Sequence, residues 1–241
     1  MSNEAAGSAD SNAGRKITLY GPAEIPFTEK VRRGLIFKGI DFDFVEPTCP
    51  EDYRRWNPKS GLLPVIEIDG ERIADSTTIL FKLDEIFPTP PFLSSDPRVS
   101  GQQTRLEDWA DENLLFYFNK WIQKRDATER LRKNGGATKR PSAVWRRLNA
   151  WLRAGGTWER PETAVLRGIG DRLDDLIGFL GTRPFFYSNQ VSMADLSVYA
   201  MLYSLSLEVI PGSKALVVNR TPLLDFMRRV ESVTGDQAES P

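Results

Sequence analysis

One stretch of sequence, from Ser60 to Thr77, constrains the fold of this 241-residue chain more than any other. It combines a β-branched run, a tight-turn dipeptide and a helix-capping pair, in that order, within a single hairpin-sized segment. It predicts a strand at Val65–Ile68, a turn at Asp69-Gly70, a strand at Arg72–Ala74 and a helix that starts at Asp75-Ser76.

Pro64 stands at the start of the first of these strands. Proline cannot donate to a strand ladder, so an edge position or a cis Leu63-Pro64 bond is expected, with backbone groups turned outward. Beside them, Asp75, Ser76 and the first amides of the next helix form a site for a carboxylate, because a helix N-terminus carries unpaired donors. The segment therefore predicts an extended backbone edge beside an anion-binding helix end.

Composition excludes several classes of protein. A 40% hydrophobic share and a net charge of −1 indicate a globular core, and they argue against a nucleic-acid partner or an anionic membrane surface. The chain has no histidine, which excludes histidine general bases and histidine-ligated zinc, and no metal is expected. Cys49 is the one cysteine, so no intramolecular disulfide forms and a reducing environment is expected.

The first part of the chain reads as a βαβ unit followed by the hairpin and its helix. Alternating and helical apolar periods predict a strand at Lys16–Tyr20, a helix at Phe27–Lys38 and a second strand at Phe42–Val45. A βαβ crossover is right-handed and joins parallel strands. The expected arrangement is βαβ-ββα.

Prolines at 88, 90, 91 and 97 interrupt both periods and mark a linker. We predict a disordered tail at 1–14, a first domain at 15–88, a linker at 89–97, an all-helical domain at 98–233 and a disordered tail at 234–241. The predicted helices lie near Arg98–Arg125, Ser142–Arg153, Pro161–Leu180, Met193–Ser206 and Thr221–Val230. Ser192 and Asp195 have the form of a capping box, to which we assign a structural role.

Four segments resemble the glutathione transferase superfamily, in its order and spacing. They are TLYGPAEIPFTEKVRRGLIFKGIDFDFVE at Thr18–Glu46, NPKSGLLPVIEIDG at Asn57–Gly70, ADSTTILFKLDEIFP at Ala74–Pro88 and SMADLSVYAML at Ser192–Leu202. The resemblance implies an α/β thioredoxin-like domain followed by an all-α domain, in a cytoplasmic homodimer. It also implies glutathione as co-substrate.

The resemblance assigns glutathione contacts to two dipeptides. The main chain of Leu63, before Pro64, would meet the cysteinyl backbone, and Asp75-Ser76 would meet the γ-glutamyl end. Lys59 is a candidate partner for the glycyl carboxylate, although an exposed lysine is often no more than soluble surface.

The chain departs from the family pattern at the start of the first helix. Members usually place serine or cysteine before a Pro-aromatic pair, whereas this chain has Ile25 before Pro26-Phe27. This residue excludes a glutaredoxin-like thiol–disulfide exchange, since that chemistry needs a thiolate at this position. Thr28, Tyr20 and the helix's own amides remain as candidates to hold the glutathione sulfur.

The sequence thus leads to two functional hypotheses. In the first, the protein conjugates or eliminates glutathione at a small, mainly apolar electrophile. In the second, it is a module that binds glutathione or a hydrophobic ligand without turnover, which Ile25 favours. An aromatic stripe after the linker would contact the second substrate or be buried at an interface; its members are Trp109, Phe116, Tyr117 and Trp121.

Overall fold

The computed structural model describes residues 15–134 and 161–235, and within the first of these ranges it contains a four-stranded sheet. The strand order is β2-β1-β3-β4, with β1 parallel to β2 and antiparallel to β3. The strands are β1 (Ile17–Tyr20), β2 (Asp43–Val45), β3 (Val65–Ile68) and β4 (Glu71–Ala74). The predicted parallel βαβ unit is confirmed.

The hairpin joins β3 to β4 through a two-residue turn. Asp69 and Gly70 have φ values of 51° and 89°, and this pair of positive values suits the right-handed twist of a hairpin. The Leu63-Pro64 peptide bond is cis, so the second of the two predicted alternatives holds. Pro64 therefore lies just before β3, which is paired on both sides, and its missing N–H does not interrupt the hydrogen bonds of that strand.

Three helices belong to this first part of the chain: α1 (Pro26–Phe37), α2 (Pro50–Trp56) and α3 (Ser76–Ile86). The sequence analysis missed α2, because seven residues are too few to display a helical period. A side-chain cap begins this helix: the Asp52 carboxylate accepts from the Thr48 amide at 2.9 Å and the Cys49 amide at 3.3 Å.

Every regular element described after the linker is a helix. They are α4 (Pro97–Asn134), α5 (Pro161–Leu180), α6 (Met193–Ser206), α7 (Ser213–Val218) and α8 (Thr221–Val233). The thioredoxin-like plus all-α fold class is confirmed, while the domain limits stay predictions. The predicted helix at Ser142–Arg153 lies outside the described residues, and α7 was not predicted.

The capping box at the start of α6 is confirmed. The Asp195 carboxylate accepts from the Ser192 amide and hydroxyl at 2.8 and 2.6 Å, and from the Phe186 amide at 2.8 Å. Burial raises the pKa of Asp195 to about 7, although these hydrogen bonds oppose the shift. The box fixes the start of a helix whose side chains are almost all buried in the centre of the molecule.

Helix α1 is buried on its charged side as well as on its apolar side. Arg33 is 2% exposed and bonds the Glu29 carboxylate at 2.7 Å and the Tyr199 hydroxyl at 2.9 Å. It also donates to the Thr234 hydroxyl at 3.0 Å. These contacts fasten α1 to α6 and to the end of α8, so Thr234 lies within the helical packing and not in the predicted tail.

The remaining tail predictions, for 1–14 and 236–241, lie outside the described residues. Among the helices that the structure describes, none combines the length and the apolar character needed to cross a membrane.

Candidate functional site

A cleft of about 470 Å³ opens where the first helix, the hairpin and the helical part of the chain meet. Its volume falls within the range of about 300–1,000 Å³ that is typical of small-molecule sites. The residues that line it are Phe27, Asn57, Ser60, Leu62, Leu63, Pro64, Ala74, Asp75, Ser76, Asp111 and Leu115. Four of the predicted contact residues, Leu63, Pro64, Asp75 and Ser76, are therefore brought together.

The backbone of Leu63 forms one edge of the cleft. Its neighbour Leu62 is fixed by local bonds, because the Leu62 carbonyl accepts from the Asn57 amide group at 2.8 Å and its N–H donates to Ser60. The N–H and carbonyl of Leu63 make no hydrogen bond within residues 15–134 and 161–235. Leu63 thus presents a donor and an acceptor to an extended ligand, in the manner of an added strand.

The N-terminus of α3 supplies the opposite wall. Asp75 is its N-cap: the carboxylate accepts from the Thr78 amide at 2.9 Å, and φ is 78°. Ser76 is 5% exposed, and its amide and hydroxyl have no partner in the described part of the chain. These two donors at the positive end of a helix suit a carboxylate.

Asp111, on α4, adds a second carboxylate to the cleft, which the sequence analysis did not predict. Lys30 donates to it at 2.9 Å and also pairs with the buried Glu107, which in turn accepts from the Thr77 hydroxyl. Burial raises the pKa of Asp111 to about 6; Lys30 opposes the shift, and Glu107 and Asp75 add to it.

The N-terminus of α1 meets the same cleft with fewer donors. Its N-cap, Ile25, has no side-chain acceptor or donor, and Pro26 has no N–H. The amides of Thr28 and Glu29 both bond to the Ile25 carbonyl. Among the described residues, the Phe27 amide has no acceptor, so it is the first free donor at this helix end.

Neither of the two predicted catalytic hydroxyls lines the cleft. Thr28 is fully buried, and its hydroxyl has no partner among the residues that the structure describes; it is directed at Gly21, where an added Cβ would lie 2.4 Å from it. Tyr20 lies beside α2, with its ring 4.8 Å from that of Trp56 and 5.6 Å from the Arg72 guanidinium.

Lys59 and the aromatic stripe also lie apart from the cleft lining. Lys59 is exposed beside Ser60, which does line the cleft. Trp109 packs edge-on against Phe179 at 5.8 Å, and it joins the core with Tyr117 and Trp121. Phe116 is 55% exposed.

Most of the lining residues that were not predicted come from two places. Asn57, Ser60 and Leu62 belong to the loop before Pro64, and Leu115 and Asp111 belong to α4. One signal existed for Asp111: it follows Glu107 by four residues, which places both carboxylates on one helix face. The facing lysine, however, is distant in sequence and becomes a neighbour only through tertiary structure.

Sequence comparisons agree with this geometry. Residues 19–91 match the family described as the N-terminal domain of glutathione S-transferases. A relative, glutathione S-transferase U7 of Arabidopsis thaliana, is 27% identical over 119 residues. That alignment covers 48% of this chain and 52% of the relative, so the chain spans about half the length of this curated relative.

Solved structures extend the similarity to the helical half. A Tau class glutathione S-transferase from mango (Mangifera indica) has a TM-score of 0.62 at 19% identity, covering 92% of this chain and 90% of that one. A glutathione S-transferase from Methylobacterium radiotolerans, in complex with glutathione sulfonate, has a TM-score of 0.64 at 22% identity over 90% and 91%. Residues 19–91 therefore match the N-terminal domain of glutathione S-transferases, and the chain shares the fold of these two solved structures.

Proposed function

We propose that this protein binds glutathione in the cleft and transfers it to, or eliminates it from, a small and mainly apolar electrophile. One observation carries the proposal: the backbone of Leu63 and the N-terminus of α3 at Ser76 face the same cleft. A tripeptide with a carboxylate at its head matches that pairing of an open backbone edge and an anion site.

In the proposed complex the cysteinyl residue lies along Leu63 and the γ-glutamyl carboxylate accepts from Ser76. The γ-glutamyl group also carries an ammonium, which would pair with the carboxylates of Asp75 and Asp111 on the same side of the cleft. Opposite charges at short distance in a partly buried cleft give both affinity and orientation. Lys59 is the proposed partner of the glycyl carboxylate.

The thiol of glutathione would lie near the N-terminus of α1, where the Phe27 amide is free. A thiol with a pKa of about 8.5 needs a shift of about two units, or about 2.7 kcal/mol, to be largely ionised at neutral pH. A helix end supplies roughly 0.3–1 kcal/mol when exposed and up to about 2 kcal/mol when partly buried. Ionisation is therefore incomplete, and slow conjugation is expected.

The second substrate would contact the apolar rim of the cleft. Leu62 is 71% exposed and Leu115 is 44% exposed, and both line the cleft together with Phe27. Exposed leucines in the cleft lining suit a hydrophobic reactant, because covering them removes apolar surface from water. A cytoplasmic homodimer completes the proposal, and light scattering on the purified protein tests the dimer.

A second candidate function is the binding of glutathione without turnover. The N-cap Ile25 favours it, because an apolar side chain gives the sulfur no hydrogen bond. The two candidates share the cleft and differ in the ionisation of the bound thiol. Retained affinity without conjugation of an activated aryl halide would favour the binding module.

Calorimetric titration with glutathione tests the proposed site. Ser76→Ala removes one hydrogen bond to a charged group, worth roughly 1.5–3 kcal/mol, and at least tenfold weaker binding is expected. Thr78→Ala is the matched control, because this exposed threonine lies in the same helical turn but outside the cleft lining. Equal affinity of the wild type and Ser76→Ala would refute the site.

A further inference from the structure

A second cavity, of about 310 Å³, lies between the linker, α4 and the loop that precedes α6. It shares no lining residue with the glutathione cleft. Its walls are Pro91, Leu93, Ser94, Ser95, Gln103, Ser188, Gln190, Val191 and Ser192. Six of these nine residues are serine or glutamine and three are apolar, so the lining is hydrogen-bonding but uncharged.

Gln103 gives this cavity a directed donor. It is 1% exposed, and its side-chain oxygen accepts from the Ser94 amide at 2.9 Å, which fixes the orientation of the group. Its Nε2 has no acceptor among the described residues, and Gln103 lines the cavity. This amide is therefore a donor that a ligand in the cavity can engage.

Two hydroxyls add further donors. The Ser188 oxygen accepts from the Gln190 amide at 2.9 Å, and the Ser94 oxygen accepts from the Asp96 amide at 3.2 Å. Each hydroxyl accepts one hydrogen bond from the protein and keeps its proton to donate. The Ser192 hydroxyl is different, because it already donates to Asp195.

The charge balance of the lining selects among possible ligands. An ion bound here would lose part of its hydration without meeting an opposite charge in the lining, which disfavours both anions and cations. A neutral oxygen acceptor avoids that cost, and Pro91, Leu93 and Val191 offer an apolar wall to its carbon atoms. The volume corresponds to about ten water molecules at roughly 30 Å³ each, the size of a sugar ring or a small amide.

We propose that this cavity is a second ligand site, specific for a small uncharged molecule that presents an acceptor oxygen to Gln103 beside an apolar carbon face. Such a ligand would contact the linker, α4 and the start of α6 at once. It would therefore stabilise the native packing of the two halves without entering the glutathione cleft.

Nuclear magnetic resonance titration of the full chain tests this site through the side-chain amide signal of Gln103. The probes are methyl glucoside for the polyol form of the ligand, N-methylacetamide for the amide form, and sodium sulfate for an anion. We expect a saturable shift with one neutral probe and none with sulfate. Saturation by sulfate alone, or by no probe, would overturn the proposal.

Gln103→Glu supplies the matching variant. It keeps an oxygen for the Ser94 amide and replaces the cavity donor by an acceptor, so at least tenfold weaker binding of the neutral probe is expected. Gln102→Glu makes the same charge change at an exposed neighbour outside the cavity, and it should bind like the wild type. Equal probe affinity in both variants, read from backbone amide shifts of residues 93–95, would contradict the assignment.

Discussion

Two helices present their N-termini to one cleft, and they are equipped very differently. Helix α3 begins with an aspartate cap that bonds Thr78, followed by Ser76, whose hydroxyl and amide have no partner within residues 15–134 and 161–235. Helix α1 begins with Ile25 and Pro26, which leaves the Phe27 amide as the first free donor. The α3 end therefore offers more donors to the proposed γ-glutamyl carboxylate than the α1 end offers to the proposed thiol.

The two helix ends are held together by a buried ionic cluster. Lys30 of α1 reaches Glu107 and Asp111 of α4 and donates to Thr77 of α3 at 3.1 Å. Lys30 and Glu107 are each 1% exposed. Because the cluster spans all three helices, it fixes the distance between the anion site and the proposed position of the sulfur.

The largest effect is expected from breaking this cluster. Lys30→Met leaves the buried Glu107 and the half-buried Asp111 without their cation, and the loss of one partner of a buried pair costs roughly 3–5 kcal/mol. Urea denaturation should show that loss in the free energy of unfolding. Lys82→Met, which removes an exposed pair with Glu85, is the control and should cost under about 1 kcal/mol. Equal stability of the two variants would show that the cluster does not hold the helices together.

The next largest effect is expected on the pKa of the bound thiol, when the N-terminus of α1 is given a serine hydroxyl like that of α3. Ile25→Ser places a hydroxyl beside the proposed sulfur, and one hydrogen bond to a charged group is worth roughly 1.5–3 kcal/mol. The pKa of the bound glutathione thiol should fall by about one to two units, as measured by ultraviolet absorbance of the thiolate.

Ile25→Val is the control for the change in size at this position. It should leave the thiol pKa as in the wild type, because it adds no donor. If Ile25→Ser also leaves the pKa unchanged, the sulfur does not lie at the end of α1.

A smaller effect, on glutathione affinity, is expected from Asp111, which lies near the proposed position of the γ-glutamyl ammonium. Protonation of Asp111, whose pKa is about 6, removes a negative charge from the cleft, so glutathione affinity should fall as the pH drops below 6. Asp111→Asn should bind roughly tenfold more weakly at pH 7.5, a loss of about 1.4 kcal/mol, and should lose the pH dependence. Calorimetry at several pH values measures both, and an unaltered pH profile in the variant would exclude Asp111 as the titrating group.

The smallest effects should come from the two hydroxyls outside the cleft. Thr28→Val and Tyr20→Phe should each change the conjugation rate by less than about twofold, since neither side chain lines the cleft. Thr28→Val also removes a buried hydroxyl without a partner, so its stability should be equal to or greater than that of the wild type. A large loss of conjugation rate in either variant would show that the hydroxyl removed takes part in catalysis.

The parts of this account that rest on local signals were predictable from sequence. The Asp69-Gly70 turn and the Asp75 cap are encoded by a few adjacent residues. Pro64, at the start of a strand, restricts the backbone conformation of Leu63. The proximity of Asp111 to the cleft was not predictable, because it depends on how α4 is rotated against α1. The inward direction of the Thr28 hydroxyl depends on Gly21, and this contact too forms only when the helix packs.

A crystal structure of the protein with glutathione is the decisive test of the proposed site, since it locates both ends of the tripeptide at once. We expect the γ-glutamyl carboxylate within hydrogen-bond reach of Ser76, the cysteinyl backbone along Leu63 and the sulfur beside the Phe27 amide. Glutathione bound elsewhere, or a cleft that stays empty at saturating glutathione, would contradict it.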